Sequence, residues 1–316
     1  MKVLIADDSL VSRHMLEATV KKWGYEPVVA CDGHEAWEIL QKADAPQLAI
    51  LDWVMPVHTG PAVCRLVRQQ QKAAYTYMLL LTSKNQREDL IEGMDAGADD
   101  YITKPFNLHE LQVRLRAGRR IVELQGELLA TQAALREQAT HDSLTRVFNR
   151  SSIFEVLDRE LRRAEREGLT VGLALLDIDF FKSVNDTFGH LAGDSVLQEA
   201  ARRIKSAIRS YDSVGRYGGE EFLIVLPGCD EACTQSQADR IRRALSIDPM
   251  PVNVEIQPDT SIALSASFGC TTALSSHKLT AEQLIQTADE CLYEAKRSGR
   301  NRVVFRSVLS QLVGRV

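Results

Sequence analysis

Residues 213–227 read SVGRYGGEEFLIVLP, two largely apolar segments separated by paired glycines and paired glutamates. Such a pattern predicts a strand, a tight turn and a second strand, because glycine adopts the backbone angles that hairpin turns require. An apolar run at 170–178, TVGLALLDI, predicts a further strand. Glycine also lets a ligand come close to the backbone. The stretch therefore predicts a β-rich unit with acidic residues beside a glycine turn.

Amphipathic segments surround this hairpin and predict an α+β fold with a mixed or antiparallel sheet for residues 140–306. Helices are predicted at 151–167, 189–209, 230–246 and 281–298. Further β-structure is predicted at 251–273 and at 303–305. The tail at 307–316 has no pattern that predicts a structure or a role.

The first part of the chain has a different pattern, in which short apolar runs alternate with amphipathic stretches. The runs fall at 2–6, 26–30, 47–51, 77–82 and 99–102. Alternating strands and helices predict an α/β domain at 1–120, with a doubly wound, five-stranded parallel sheet.

Residues 107–139 connect the two predicted domains and contain no proline. They predict a linker helix of about 50 Å. Apolar residues recur in it at spacings of three and four, which predicts a coiled coil in a dimer.

The composition of the 316-residue chain limits its partners. It is 45% hydrophobic and has a formal net charge of −5, which argues against a general nucleic-acid or anionic-membrane binder. The sequence contains no run of about 18 apolar residues, the length that would predict a membrane span. We therefore expect a cytoplasmic protein with neither a nucleic-acid nor a membrane partner. The six cysteines have no zinc-site spacing, and we expect all of them to be reduced thiols.

Five polar residues stand at the ends of predicted strands in the first domain: Asp7, Asp8, Asp52, Thr82 and Lys104. Side chains at the carboxyl ends of parallel strands meet at one edge of the sheet. Three carboxylates there suit Mg²⁺, and a carboxylate can attack a phosphoryl group. Taken singly, each acid could instead be a helix cap or a loop charge. Their placement at successive strand ends favours a phosphate-accepting pocket.

These residues, with LDWVMP at 51–56, Thr82-Ser83 and KPF at 104–106, resemble the response-regulator receiver family over residues 1–120. The resemblance implies that Asp52 accepts phosphate from a histidine kinase. It also implies one Mg²⁺, bound directly by Asp8, Asp52 and the Val54 carbonyl and through water by Asp7. Thr82 and Tyr101 match the family's switch pair, and Lys104 its phosphate-binding lysine.

The acidic residues of the second domain suit phosphoryl transfer. Asp177 ends the strand at 170–178, and Glu220 and Glu221 follow the glycine pair. Acids so placed can share divalent cations that clamp a triphosphate. A lone Gly-Gly-Glu-Glu would more simply be a turn with solvated acids, so the interpretation depends on the other residues of the set.

Neighbouring residues suit a nucleotide. Asn185 and Asp194 carry side chains that can read a guanine edge, and Lys182 can neutralise phosphate charge. Lys296 and Arg300 are four residues apart, on one helical face if the helix extends that far, and they suit a terminal phosphate.

The second domain resembles the GGDEF family of diguanylate cyclases over about residues 139–306, here with the variant GGEEF. The motifs are DSLTRVFNR at 142–150, DIDFFKSVNDTFGHLAGD at 177–194, GGEEF at 218–222 and YEAKRSGRN at 293–301. Arg146 and Val147 stand where the family usually has Gly and Leu. The resemblance implies that two GTP condense into cyclic di-GMP and two pyrophosphates, in a symmetric homodimer.

The resemblance also implies residue roles. Asp177, the Ile178 carbonyl and Glu220 would bind metal, with two Mg²⁺ for each GTP. Glu220 or Glu221 would be the base, and this choice stays open. Substrate contacts would come from the remaining positions: Lys182 at the transition state, Asn185 and Asp194 at guanine, His190 lining the site, and Lys296 with Arg300 at the terminal phosphate.

Residues 209–212 read RSYD, and the family's inhibitory product site is an Arg-x-x-Asp at this place. Arg209 and Asp212, helped by Arg240, are thus predicted to bind cyclic di-GMP. A solvated pair of charges at a helix end is the simpler alternative.

The sequence leaves three alternatives to a regulated diguanylate cyclase. They are a degenerate cyclase acting as a cyclic di-GMP receptor, a cyclase with relaxed base choice, and a purely relay or interaction role.

Overall fold

The computed structural model describes residues 1–70, 75–83, 87–251, 261–274 and 279–307. The chain forms two compact units, Met1–Ala134 and Leu135–Val316. The tail beyond Ser307 and much of the predicted β-region at 251–273 lie outside the described residues. No helix in the described ranges is long and apolar enough to cross a membrane.

Strands and helices alternate through the first unit. Its elements are β1 Lys2–Ala6, α1 Leu10–Lys22, β2 Glu26–Ala30, α2 Gly33–Gln41, β3 Leu48–Asp52, α3 Gly60–Gln69, β4 Tyr77–Thr82, α4 Arg87–Asp95, β5 Asp100–Thr103 and α5 Leu108–Thr140. The strand order is β2-β1-β3-β4-β5, and every pair is parallel. The predicted five-stranded, doubly wound sheet is confirmed.

Successive residues of the central strands pack into two different hydrophobic clusters, because side chains of a strand point alternately to its two faces. The amino-terminal half of α5 covers one face through Leu111, Leu115, Gly118 and Val122, which are all buried. Their spacing of four, three and four residues is that of one side of a helix. From Gly126 to Ala139, every residue of α5 is exposed.

The second unit places helices around a five-stranded mixed sheet and also contains a separate pair of two-residue strands. Its elements are α6 Arg150–Glu167, β6 Thr170–Ile178, α7 Phe181–Phe188, α8 His190–Ala207, β7 Ser213–Gly218, β8 Glu221–Pro227, α9 Glu231–Ser246, β9 Met250–Pro251, β10 Ser261–Ile262, β11 Ala266–Leu274, α10 Ala281–Arg297 and β12 Val303–Phe305. The order β12-β11-β6-β8-β7 is antiparallel except for the parallel β11–β12 pair. The predicted α+β fold is confirmed.

The central strand β6 positions the site. Eight of its nine residues are buried, because β11 and β8 flank it and helices cover it. Gly269 in β11 lets α10 approach closely, since a Cβ there would lie 1.9 Å from the Ala288 carbonyl oxygen. The carboxyl end of β6 therefore meets the β7–β8 turn and the end of α10.

The structure corrects two expectations. Cys229 and Cys233 form a disulfide, so the prediction of six reduced thiols is wrong for this pair. Asp230 caps α9, and the first turn of the helix brings the two Cα atoms to 5.1 Å. In addition, α10 ends at Arg297, and Arg300 follows in a loop with a positive φ of 56°. Lys296 and Arg300 therefore do not share a helical face.

Candidate functional site

The first unit gathers its acids at the carboxyl edge of the parallel sheet. The potential ligand atoms of Asp7, Asp8 and Asp52 all lie within 4.8 Å of one another. Ser12 Oγ and the Ser9 backbone N–H donate to the Asp7 carboxylate at 2.6 and 2.9 Å, which fixes it at the start of α1. In the described ranges, no other three acidic, histidine or cysteine side chains come so close. Three clustered carboxylates fit the oxygen-ligand preference of Mg²⁺.

Lys104 joins this pocket from the segment after β5. Its Nζ lies 2.8 Å from Asp52 Oδ1 and 3.1 Å from Asp7 Oδ2. Burial raises the pKa of Asp52, although the Lys104 ammonium opposes that shift. Burial also works against the charge of Lys104, but its bonds to both acids outweigh this and raise its pKa. One cation thus serves two of the three carboxylates.

The other predicted receiver residues lie on neighbouring strands and loops. Thr82 is buried at the end of β4, one residue beyond the partner of Asp52 in the β3–β4 register. Tyr101 is half-buried in β5 and pairs with Leu80. Val54 follows β3 and has an exposed side chain. The sheet places Thr82 at the same edge as the acids.

In the second unit, the acids lie where β6 meets the β7–β8 hairpin. Asp177 is opposite Glu221 in the antiparallel β6–β8 register. The Ile178 backbone N–H donates to the Glu220 carbonyl oxygen at 3.4 Å. The hairpin therefore holds both glutamates beside the end of β6, and its exposed glycines leave the approach open. The structure brings together all four residues predicted for metal binding and base catalysis.

Burial makes this second cluster electrostatically costly. It raises the pKa of Asp177, with Glu220 and Asp179 adding to the shift, while Lys296 Nζ opposes it from 2.7 Å. Burial also raises the pKa of Glu221, and the Asp177 charge adds to that shift. A further cation would favour the charged carboxylates. Their oxygen ligands, with the Ile178 carbonyl, fit Mg²⁺ in chemistry.

Two residues that the sequence analysis left without a role hold the glycine turn. Arg216 donates through Nε to the Gly219 carbonyl oxygen at 2.8 Å, and its Nη1 lies 3.3 Å from both Asp142 carboxylate oxygens. Asp142 also accepts from the hydroxyl of Thr145 at 2.7 Å. Asp142 is the first residue of the motif at 142–150. Because a partly buried acid needs a cationic partner, that residue was the signal in the sequence for its ion pair with Arg216.

Helices α7 and α8 carry the predicted nucleotide-reading residues. Gly193 makes their close approach possible, because a Cβ there would lie 2.0 Å from Asn185 Oδ1. Asp194 is the next residue and is exposed. Lys182 on α7 and His190 at the start of α8 are also exposed. The α7–α8 pair thus presents an amide and a carboxylate side by side.

Asp212 is the most unusual residue of the RSYD segment. It is 8% exposed, and its Oδ2 accepts from the backbone N–H of Arg209 at 2.9 Å. Its Oδ1 is buried without a hydrogen-bond partner in the described part of the chain. Burial raises the pKa of Asp212, while Arg209 and Arg240 oppose the shift. The guanidinium of Arg209 instead donates to the Tyr211 hydroxyl at 2.9 Å.

Comparison with known proteins assigns both units. The family model "Response regulator receiver domain" matches residues 3–116, and "Diguanylate cyclase, GGDEF domain" matches residues 139–302. The second match covers more than half of the chain. The protein therefore belongs to the GGDEF diguanylate cyclase family and carries an amino-terminal receiver domain.

Individual relatives match this chain over different shares of its length. The response regulator PleD of Caulobacter vibrioides is 32% identical over 312 residues, which are 96% of this chain and 65% of PleD. The chain thus spans less than two thirds of that relative. The coiled coil and GGDEF domain of DgcB from Caulobacter crescentus, solved with c-di-GMP, is 32% identical with a TM-score of 0.54, covering 62% of this chain and 99% of that one. SiaD from Pseudomonas aeruginosa, solved with its activator SiaC, is 38% identical with a TM-score of 0.51, covering 63% and 74%.

Proposed function

We propose that this chain is a phosphorylation-regulated diguanylate cyclase that condenses two GTP into cyclic di-GMP and two pyrophosphates. The observation that carries the proposal is the cluster at the end of β6. There Asp177 lies opposite Glu221, beside Glu220 and the exposed glycine turn, with Lys296 2.7 Å from Asp177. Carboxylates held beside an open turn, with a lysine among them, suit a triphosphate and its cations.

The reaction needs two copies of the domain. The 3′-hydroxyl oxygen of one GTP forms a bond to the α-phosphorus of the other, the bond to the β-phosphate oxygen breaks, and pyrophosphate leaves. Glu220 or Glu221 accepts the hydroxyl proton. Two bound Mg²⁺, held by Asp177, the Ile178 carbonyl and Glu220, would neutralise triphosphate charge. Because each domain holds one GTP, two domains face each other in a symmetric homodimer.

Residues of α7 and α8, of the last turn of α10 and of the loop after it select and hold the substrate. The Asp194 carboxylate accepts hydrogen bonds from the guanine N1–H and exocyclic amine, which adenine does not offer in the same arrangement. Asn185 binds the same base edge, and His190 lines the site. Lys182 supports the charge of the transition state. Lys296 and Arg300 bind the terminal phosphate, where opposite charges make short, strong hydrogen bonds.

The receiver pocket supplies control. Asp52 accepts a phosphoryl group from the phosphohistidine of a cognate kinase. Asp8, Asp52 and the Val54 carbonyl would hold one Mg²⁺, with Asp7 acting through water, and the ion would neutralise phosphoryl charge. Lys104 and Thr82 then bind the phosphoryl oxygens, and Tyr101 responds to the movement of Thr82. The support for this role is the cluster of three acids with an ammonium that contacts two of them.

The exposed surface of α5 supports a dimer linker. Ile121, Leu124, Leu128 and Leu135 are 45–59% exposed, and they recur at the spacings of a coiled coil. The DgcB structure contains a coiled coil beside its GGDEF domain. A second copy of α5 would cover these side chains and would carry the state of the receiver to the cyclase.

Product inhibition would use Arg209, Asp212 and Arg240. Among the residues that the structure describes, none donates a hydrogen bond to the buried Asp212 Oδ1, so this atom retains the capacity to accept one from a guanine N–H. The two arginines suit phosphate oxygens and base edges. The DgcB structure was solved with c-di-GMP, which makes this dinucleotide the ligand to test first.

The test is to measure cyclic di-GMP made from Mg²⁺-GTP by the full chain, with and without beryllofluoride as a mimic of the phosphoaspartate. The proposal expects turnover that beryllofluoride increases. Absence of product in both conditions, with retained binding of cyclic di-GMP, would instead identify a degenerate receptor. Equal turnover of ATP would identify relaxed base choice.

A further inference from the structure

Three residues with strained backbone angles meet where β6 ends. Phe180 follows β6 with a φ of 60°, and Arg300 and Asn301 follow α10 with φ angles of 56° and 46°. Residues with a Cβ adopt this left-handed region at a cost in free energy, and such strain clusters at functional sites. The surrounding structure must therefore hold both segments in place.

The carboxylate of Asp179 holds them. Asp179 is 2% exposed, and its Oδ2 accepts from the Asn301 backbone N–H at 3.1 Å and from the Ser265 hydroxyl at 2.6 Å. Its Oδ1 accepts from the Ser267 hydroxyl at 2.7 Å. One buried side chain thus ties the end of β6 both to the segment entering β11 and to the loop that carries Arg300.

Phe180 adds a second contact to the same loop. Its ring is 63% exposed, and the guanidinium carbon of Arg300 lies 4.5 Å from the ring centroid. A cation over an aromatic face is attracted to it, and the planar guanidinium stacks well. The unusual exposure of a large aromatic side chain is explained if its task is to hold that guanidinium.

We propose that Asp179 and Phe180 are positioning residues that fix Arg300 for the terminal phosphate of GTP and so set the preference for a triphosphate over a diphosphate. This inference rests on the proposed function. The tie through Asn301 sets the backbone of residue 300, and the ring sets the side chain. A guanidinium fixed beforehand loses less conformational freedom when phosphate binds. Substrate GTP carries that phosphate, and GDP does not.

The experiment compares two ligands that cannot release pyrophosphate, the α,β-methylene analogues of GTP and GDP, by calorimetry with the full chain and Mg²⁺. The readout is the dissociation constant of the diphosphate analogue divided by that of the triphosphate analogue, so a fall in this ratio means a weaker preference for the triphosphate. A variant that is merely less stable binds both analogues less, and its ratio stays constant. A variant with a misplaced Arg300 loses affinity for the triphosphate alone.

Asp179→Asn places an amide N–H₂ among three donors, and we expect the ratio to fall about tenfold, equal to about 1.4 kcal/mol. Phe180→Leu, at an exposed position that does not endanger folding, should lower it about threefold. Phe180→Tyr keeps the ring and should keep the wild-type ratio.

The control variant is Phe188→Leu, which makes the same aromatic-to-aliphatic change at the end of α7 and should leave the ratio unchanged. Asp179→Asn combined with Arg300→Ala should lower the ratio no further than Arg300→Ala alone.

Two results separate the hypotheses. If the wild-type chain binds neither analogue, the proposed function fails and this inference fails with it. If the wild type prefers the triphosphate and Phe180→Leu keeps the wild-type ratio, the positioning role alone is overturned. Additive losses in the Asp179→Asn, Arg300→Ala double variant would also overturn it, since Asp179 would then act independently of Arg300.

Discussion

The receiver pocket and the cyclase cluster both combine strand-end carboxylates with a lysine, yet their sheets assemble them in different ways. Parallel strands β1 and β3 bring Asp7, Asp8 and Asp52 to one edge, with ligand atoms within 4.8 Å. Antiparallel β6 and the β7–β8 hairpin place Asp177 across from Glu221 instead. Lys104 forms ion pairs with two acids, whereas Lys296 forms an ion pair with Asp177.

The difference matches two kinds of chemistry. A parallel sheet collects one complete pocket from one chain, which suits a carboxylate that is itself the phosphate acceptor. A hairpin at the edge of a mixed sheet keeps its glycines exposed, so that a second bound nucleotide can approach. We therefore expect the receiver pocket to work within one chain and the cyclase cluster to work only between two.

The largest expected effect is on the cyclase cluster. Asp177→Asn or Glu220→Gln removes a charged ligand from the proposed metal site and leaves triphosphate charge uncompensated, so cyclic di-GMP production should fall at least about a hundredfold. Product formation by each folded variant measures this. Glu231→Gln changes an exposed acid in the first turn of α9 and serves as the control. Turnover near the wild-type rate in either site variant would disprove the assignment.

Next in size is the loss of control through the receiver pocket. Asp52→Asn removes the proposed phosphate acceptor, so acetyl phosphate or beryllofluoride should no longer stimulate synthesis. Coupling free energies of about 1–3 kcal/mol correspond to 5- to 150-fold stimulation, and this ratio should fall to one. Basal turnover should remain, since the cyclase cluster is intact. Asp44→Asn, at an exposed acid paired with Lys2, should keep full stimulation. Persistent stimulation of the Asp52 variant would place the response elsewhere.

A smaller change is expected at the product site. Arg209→Ala removes a cation from the proposed product site, and the inhibitory concentration of cyclic di-GMP should rise about tenfold. Activity without product should be retained. Arg202→Ala removes an exposed arginine that pairs with Glu199 on α8 and should not alter inhibition. Unchanged inhibition of the Arg209 variant would argue for the simpler interpretation of a solvated charge pair.

The last expected effect concerns the linker. One residue inserted near Gly126 turns the following part of α5 by about 100°, which should uncouple or invert stimulation by beryllofluoride. Four inserted residues add about one turn and should disturb it less. The measurement is the ratio of stimulated to basal synthesis in each insertion variant. Equal ratios in the wild type and both variants would show that α5 is only a tether.

Much of the fold could be predicted because local patterns carry it. Buried strands read as short apolar runs, and all five receiver strands lie within one residue of their predicted ranges. The hairpin at 213–227 forms as predicted, since Gly219 adopts the positive φ of 48° that its tight turn requires. The last helix, predicted at 281–298, ends at Arg297, within one residue of its predicted end. The conformation of the loop after α10 was not predicted, because its Asn301 backbone N–H donates to Asp179, which is 122 residues away in the sequence.

The sequence by itself determined the two domain types, the helix between them and the acids at the strand ends, because these follow from periodicity and from neighbouring residues. Tertiary structure alone decided which distant groups meet. Asp179 contacts Ser265, Ser267 and Asn301, which are 86, 88 and 122 residues away. Lys296 reaches Asp177 only because α10 packs on the sheet that contains β6. Such contacts arise from side-chain packing between elements, and no single segment of the sequence encodes them.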